Sequence, residues 1–222
     1  MTADTATDTV LQSRSQTAKR VSIVEAAARV FCSEGFAGAN IDVIAAEAGV
    51  SRQTVYNHHG DKETLFIAVV REITDRANAR FFETLDSFPD RPQNLHAELV
   101  EFALRLTRNC ICNRDSKFLR KMILMEGSRY PALFRHWREE GPGRVSSALA
   151  ARFARLALTG FLELDDPDVA ARQFFALINA DLHVSTMLGD NPGEEQLRIS
   201  ANNAVKTFLR AFGKQPRSGL SA

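Results

Sequence analysis

Asn40-Ile41-Asp42-Val43-Ile44-Ala45-Ala46-Glu47-Ala48-Gly49-Val50-Ser51-Arg52-Gln53-Thr54-Val55-Tyr56-Asn57-His58-His59 is the stretch that decides the fold. Ile41, Ile44, Ala45 and Ala48 fall at helical spacing and form one apolar stripe. Asn40 carries the side-chain oxygen that caps such a helix. Gly49 supplies a turn, Ser51 a second cap, and Arg52 to about His58 a short helix with a polar outward face. Val55 is the one residue of that helix expected to be pure core. The pattern over 40–59 predicts a helix-turn-helix, a device that sets its second helix in the major groove of DNA.

Working outward, Val24, Ala27, Ala28 and Phe31 stripe a preceding helix from about Thr17 to Glu34. Gly35 stops it, and Phe36 folds back on its last turn. Asp61 caps a fourth helix with apolar rows Leu65/Val69/Ile73 and Phe66/Val70. Phe88-Pro89-Asp90-Arg91-Pro92 marks a boundary. Further stripes follow: Leu95 to Leu106, Phe118 to Met125, Pro131 to Glu140, and Val145 to Leu156 after an interruption at Gly141-Pro142-Gly143. A long helix opens at Asp166-Pro167 and runs to Leu188, and Leu197 to Phe212 forms the last stripe. No alternating strand pattern is present. The fold class is all-α, with about nine helices: a three-helix N-terminal domain over 17–70 and a helical bundle over 71–212. Residues 1–16 read as a disordered arm, rich in Thr, Asp, Ser and Gln, and 213–222 as a flexible tail.

The bulk composition excludes several classes. No apolar run approaches the ~20 residues of a membrane helix, and the N-terminus has no signal-peptide core, so the cytoplasm is expected and no membrane partner is. Cys32, Cys110 and Cys112 are too few and too oddly spaced for a disulfide framework and read as reduced thiols. No cofactor or metal motif occurs, and Asp181 and His183, two positions apart on a helix, do not share a face. No nucleophile elbow, phosphate loop or HExxH helix is present, so an enzyme is not expected and no residue is assigned a catalytic role. Over residues 1–62, six Lys and Arg face seven Asp and Glu, a balance of −1. DNA binding therefore requires the positive groups to gather on one face. The same balance leaves a helical protein–protein adaptor, or a sensor that does not bind DNA, as the alternative reading.

Residues 17–70 resemble the DNA-binding domain of TetR-family transcriptional regulators. The resemblance rests on Ile23, Ala26-Ala27, Phe31, Gly35-Phe36, Ile44-Ala45, Ala48-Gly49-Val50-Ser51, Thr54-Val55-Tyr56, His58, Lys62-Glu63 and Leu65. Two departures stand out. Asn40 and Ile41 replace the usual Thr or Ser, and Asn still caps. His59 replaces a Phe that fills the seam between the third and fourth helices, so it either packs neutral or points to solvent. Glu140-Gly141-Pro142, Asp165-Asp166-Pro167 and Asp181-Leu182-His183 more loosely resemble an AefR-like C-terminal half.

The resemblance implies a ligand-responsive regulator, usually a repressor, that binds a palindromic double-stranded operator as a homodimer and lets go when a small molecule binds. It implies base contacts from Arg52, Gln53 and Thr54, residue types that pair with guanine, adenine and the thymine methyl. It implies phosphate contacts from Lys19, Arg20, Asn40, Ser51, Tyr56, His58 and Lys62. The C-terminal half would hold the effector and the dimer. Polar groups set among apolar ones there, as in ligand pockets, nominate Phe102, Asn109, Met122, Glu126, Arg129, Trp137, Asn179 and His183, with a hydrophobic or aromatic effector. The last two helices nominate Phe174, Phe175, Ile178, Val205, Phe208 and Phe212 as a four-helix dimer seam.

Overall fold

The structure, a computed structural model, describes residues 4–214, with side chains described from Gln16 onward. Among the described residues the regular elements are all helical: α1 Asp4–Gly38, α2 Ile41–Ala48, α3 Arg52–His59, α4 Lys62–Leu85, α5 Leu95–Thr107, α6 Arg114–Glu126, α7 Pro131–Arg138, α8 Arg144–Leu158, α9 Pro167–Ala180, α10 His183–Met187 and α11 Glu194–Phe212. Two π-helical turns, Arg108–Cys112 and Glu139–Gly143, join α5 to α6 and α7 to α8. An isolated antiparallel bridge pairs Leu162 with Gly213.

The chain forms two compact units. The first runs through Asp75 and takes in Phe118–Trp137; the second holds Arg76–Lys117 and the chain from Arg138 onward. This division differs from the 17–70 and 71–212 expected. Residues 118–137 join the first unit because their side chains complete its core. Tyr130 packs against Phe36 and Phe66, with ring centroids 5.5 and 5.2 Å apart. Phe31 meets Phe66 edge-on at 5.2 Å, and Ile23, Ile44, Val55, Leu65 and Val69 are fully or almost fully buried around them.

The second unit is built on phenylalanine. Phe153 stacks on Phe208 at 4.8 Å and meets Phe174 edge-on at 5.3 Å; Phe174 meets Phe208 at 5.0 Å, and Phe88 touches Phe102 and Phe153. Such offset and edge-on pairs add to the apolar area that each ring buries. This corrects the dimer-seam assignment for four residues: Phe174, Ile178, Val205 and Phe208 are completely buried within their own unit. Helices α9 and α11 carry apolar residues on more than one face, and these four lie on the inward one. Phe175 and Phe212 are only partly buried.

Three local differences from the sequence reading have simple causes. Helix α1 begins at Asp4, so the backbone of residues 4–16 is helical where an arm was expected; adding turns to an existing helix avoids the cost of nucleating a new one. The expected long helix from Asp166 breaks at Asp181-Leu182. Leu182 turns into the core, Asp181 accepts from Asn203 of α11 at 3.1 Å, and Asn179 donates back to the Phe175 carbonyl at 2.7 Å. Gly141-Pro142-Gly143 bends the chain without breaking it, inside a π-helical turn whose Glu140 carbonyl accepts from Asn78 at 2.8 Å. Of the expected tail, Lys214 is held by its amide to the Phe161 carbonyl at 3.2 Å, and residues from 215 onward lie outside those described.

Candidate nucleic-acid interface

Each helix of the 40–59 device is closed by its own residues. Asn40 Oδ1 accepts from the Asp42 amide at 2.7 Å and starts α2. Gly49 ends it in the left-handed region, φ 67, which a side chain rarely tolerates. Ser51 Oγ accepts from the Thr54 amide at 3.1 Å and starts α3, and Gly60 ends it at φ 73. Asp61 then caps α4 through the Thr64 amide at 2.7 Å, which holds its carboxyl below the usual carboxylate range. The positive ends of α2 and α3 thus open beside Asn40 and Ser51, as a phosphate requires.

Helix α3 is fixed by Val55, 1% exposed, and by His59, which is also buried. Arg52, Gln53 and Asn57 are exposed, while Thr54, Tyr56 and His58 are half-buried. Gln53 Nε2 donates to Asn57 Oδ1 at 2.8 Å, so two amide side chains stand together on the open face. Thr54 shares a hydroxyl contact with Ser51 at 2.8 Å. Arg52 Nη1 lies 3.2 and 3.1 Å from the two Asp42 oxygens, and its Nη2 donates to the Tyr56 hydroxyl at 3.3 Å. These partners hold its guanidinium, always charged in water, still more firmly in that form.

The charge balance of this region resolves through pairing. Arg29 meets Glu47 at 2.9 Å, Arg52 meets Asp42, and Arg20 meets Glu72 at 3.1 Å. Lys62 was expected at a phosphate. Its ammonium instead donates to the carbonyls of Ala37 and Ala39, at 3.3 and 3.0 Å, and lies 4.9 Å from the Phe36 ring centroid. It ties the α1–α2 connection to the start of α4. Lys19 is exposed and, among the described residues, carries no ion pair.

His59 packs neutral, the first of the two options left open by its replacement of a Phe. Its Nε2 is buried without a hydrogen-bond partner. Burial, then the charges of His58 and Arg20, push its pKa below the ordinary histidine value. Between that lowered value and about 6.5, the unfolded chain binds a proton that the folded chain refuses. Stability therefore rises with pH across this window and is lost as pH falls through it. His59→Phe should flatten the acid side of a plot of melting temperature against pH; a slope unchanged by the substitution would show that another group titrates.

The effector candidates fall into both units, four in each. In the first, Met122 is fully buried, Trp137 is half-buried, Glu126 accepts from the Phe36 amide at 3.0 Å, and the Arg129 guanidinium lies 4.7 Å from the Phe36 ring centroid. In the second, Phe102 is fully buried in the phenylalanine core, Asn109 donates to Arg80 and Thr84, Asn179 is tied back to Phe175, and His183 is exposed at the start of α10. A surface hollow of about 280 Å³ near the α4–α5 connection is lined by Ser87, Pro89, Ala97, Glu98, Glu101 and Arg105, none of them a candidate. Among the described residues no group of three or more His, Cys, Asp or Glu is placed to hold a metal ion, and no helix is long and apolar enough to cross a membrane.

Sequence reasoning missed Asp42, Asn57 and the Glu126–Phe36 link. Asn57 carries a local signal, four residues from Gln53. Asp42 and Glu126 reach partners ten and ninety residues away, beyond any local pattern.

Comparison with known proteins agrees with this architecture. Residues 23–69 match the family described as bacterial regulatory proteins of the tetR family. Residues 97–214, more than half of the chain, match the AefR-like transcriptional repressor C-terminal domain. The repressor AcnR of Corynebacterium glutamicum is 41% identical over 56 residues, 25% of this chain and 30% of that protein. The regulator RutR of Escherichia coli is 39% identical over 75 residues, 34% of this chain and 35% of that protein, so the chain spans about a third of these relatives' length. The solved structure of a TetR-family regulator from Mesorhizobium loti superposes with a TM-score of 0.80 at 29% identity, covering 89% of this chain and 98% of that one. The flavonoid-responsive regulator FrrA superposes at 0.65 with 30% identity, covering 90% and 98%. With both halves matched in order on one helical scaffold, the chain belongs to the TetR family of transcriptional regulators, proteins with a DNA-binding N-terminal domain that are mostly repressors and not enzymes.

Proposed function

We propose that this chain is an effector-responsive regulator, most simply a repressor, that binds a palindromic operator as a homodimer. The observation that carries the reading is the two-faced third helix: Val55 anchors it while Arg52, Gln53 and Asn57 stand exposed on its outer side. Arg52 and Gln53 offer the donor and acceptor patterns that guanine and adenine edges match, and the Thr54 methyl meets thymine. Lys19, Tyr56 and His58, with the helix ends at Asn40 and Ser51, take phosphates. Arg20 and Lys62 contribute from the positions where Glu72 and the Ala37 and Ala39 carbonyls hold them. A single short helix reads too few base pairs, so two copies on a twofold axis read half-sites about one helical turn apart.

The C-terminal half supplies the pairing and the response. The partly buried Phe175 and Phe212 remain candidates for the seam between α9 and α11 of two copies. The effector is hydrophobic or aromatic, in keeping with the phenylalanine-rich interior of this half and with FrrA, a relative responsive to flavonoids. Its binding shifts the population towards a state whose recognition helices no longer match successive grooves.

The test is base selectivity. Selection from randomised duplexes yields the operator; Gln53→Ala should then lose on the order of 1–3 kcal/mol on it and accept other bases at the contacted position. Equal losses on operator and random duplex would remove Gln53 from base reading.

A further inference from the structure

We infer that Asp42 is a specificity-determining positioning residue that holds the Arg52 guanidinium in a fixed plane for base reading. The inference rests on the proposed reading of α3 as the base-contacting helix. Four contacts restrain the guanidinium: both Asp42 oxygens, at 3.2 and 3.1 Å from Nη1, the Tyr56 hydroxyl, at 3.3 Å from Nη2, and the Tyr56 ring, whose centroid lies 5.5 Å from the guanidinium carbon. Asp42 belongs to α2 and Tyr56 to α3, so the clamp is set by the helix-turn-helix itself.

The placement of a carboxylate here needs explaining. On a face that meets phosphates, a negative charge repels the duplex. As a stabilising ion pair it is poorly placed, since both side chains are more than half exposed and exposed pairs contribute little to folding. Its effect on Arg52 is larger. A free arginine samples many rotamers, and a base contact must bear the cost of ordering them. A guanidinium has five N–H donors. Asp42 and Tyr56 engage two of them, and three remain, one more than a bidentate guanine contact uses.

The test uses the full chain and the operator found by selection. Kd is measured at one salt concentration for the operator, for the operator changed at the base pair that Arg52 reads, and for a random duplex. Asp42→Ala should lower the ratio of operator to changed-site affinity at least fivefold, leave random-duplex binding unchanged or tighter, and leave the melting temperature unmoved. Asp42→Asn, which keeps one acceptor, should fall between. In an Arg52→Ala background, Asp42→Ala should have no further effect on the ratio. The inference is overturned if Asp42→Ala tightens binding to all three duplexes alike, or if its effect on the ratio persists without Arg52. If Arg52→Ala itself leaves the wild-type ratio intact, Arg52 reads no base and the role of Asp42 fails, while the loss of selectivity on Gln53→Ala still decides the reading of α3.

Discussion

Phe208→Ala should lower the unfolding free energy of the protein by about 3–5 kcal/mol, the range for removing a large aromatic ring from a closed core. The ring is completely buried and contacts three others, Phe153 at 4.8 Å and Phe174 and Phe212 at 5.0 Å. Alanine would leave a void lined by these rings, which sit on α8, α9 and α11 and cannot all move inwards together. Urea denaturation measures the loss as a lower midpoint with an unchanged slope. The same variant separates core from seam. A core ring, once removed, weakens folding while the surviving folded protein keeps its association state. A variant that unfolds at the wild-type urea concentration but sediments as a monomer would return Phe208 to the dimer seam.

Gly35→Ala should be nearly as damaging, by about 2–4 kcal/mol, combining a strained backbone with overpacking. Gly35 sits at φ 69, ψ 177, a conformation essentially closed to residues with a Cβ. A Cβ built there would lie 2.9 Å from the Met125 methyl. Relief by backbone movement would pull on Phe36, whose amide donates to the buried carboxylate of Glu126 at 3.0 Å and whose ring packs on Phe66 and Tyr130. The first unit would lose its closure between α1 and the α6–α7 segment. For a chain of this size the cost corresponds to a fall in melting temperature on the order of 5–15 °C, read by circular dichroism. A melting temperature within a degree of wild type would mean that the turn has another accessible conformation.

The helix-turn-helix was legible because its determinants are local. Asn40, Gly49, Ser51 and Gly60 act within three or four residues of themselves, and Val55 needs only the helical period to be placed inside. The second unit was harder, for a physical reason. Helices α9 and α11 bear apolar residues on two faces, and periodicity reports that a residue is covered without saying whether its own chain or a second copy covers it. That is why Phe174 and Phe208 were read as seam and proved to be core. Polar residues are hard to read for another reason. Lys62 shows the charge expected of a phosphate contact, yet its partners are backbone carbonyls, which leave no trace in side-chain pattern. Glu126, a pocket candidate by its charge among apolar neighbours, has a partner that local pattern does not reveal, the Phe36 amide ninety residues upstream. The π-helical turn at Glu139–Gly143 escaped because Gly and Pro signal a break equally well whether the chain stops or merely widens its helical pitch.

Hydroxyl-radical footprinting of the selected operator tests the central claim most directly. Two identical subunits presenting α3 to successive major grooves should protect two patches on one face of the duplex, with centres about 10–10.5 base pairs apart or a multiple of that, and Gln53→Ala should erase both together. Uniform or absent protection at low ionic strength, or a footprint that survives Gln53→Ala unchanged, would contradict it.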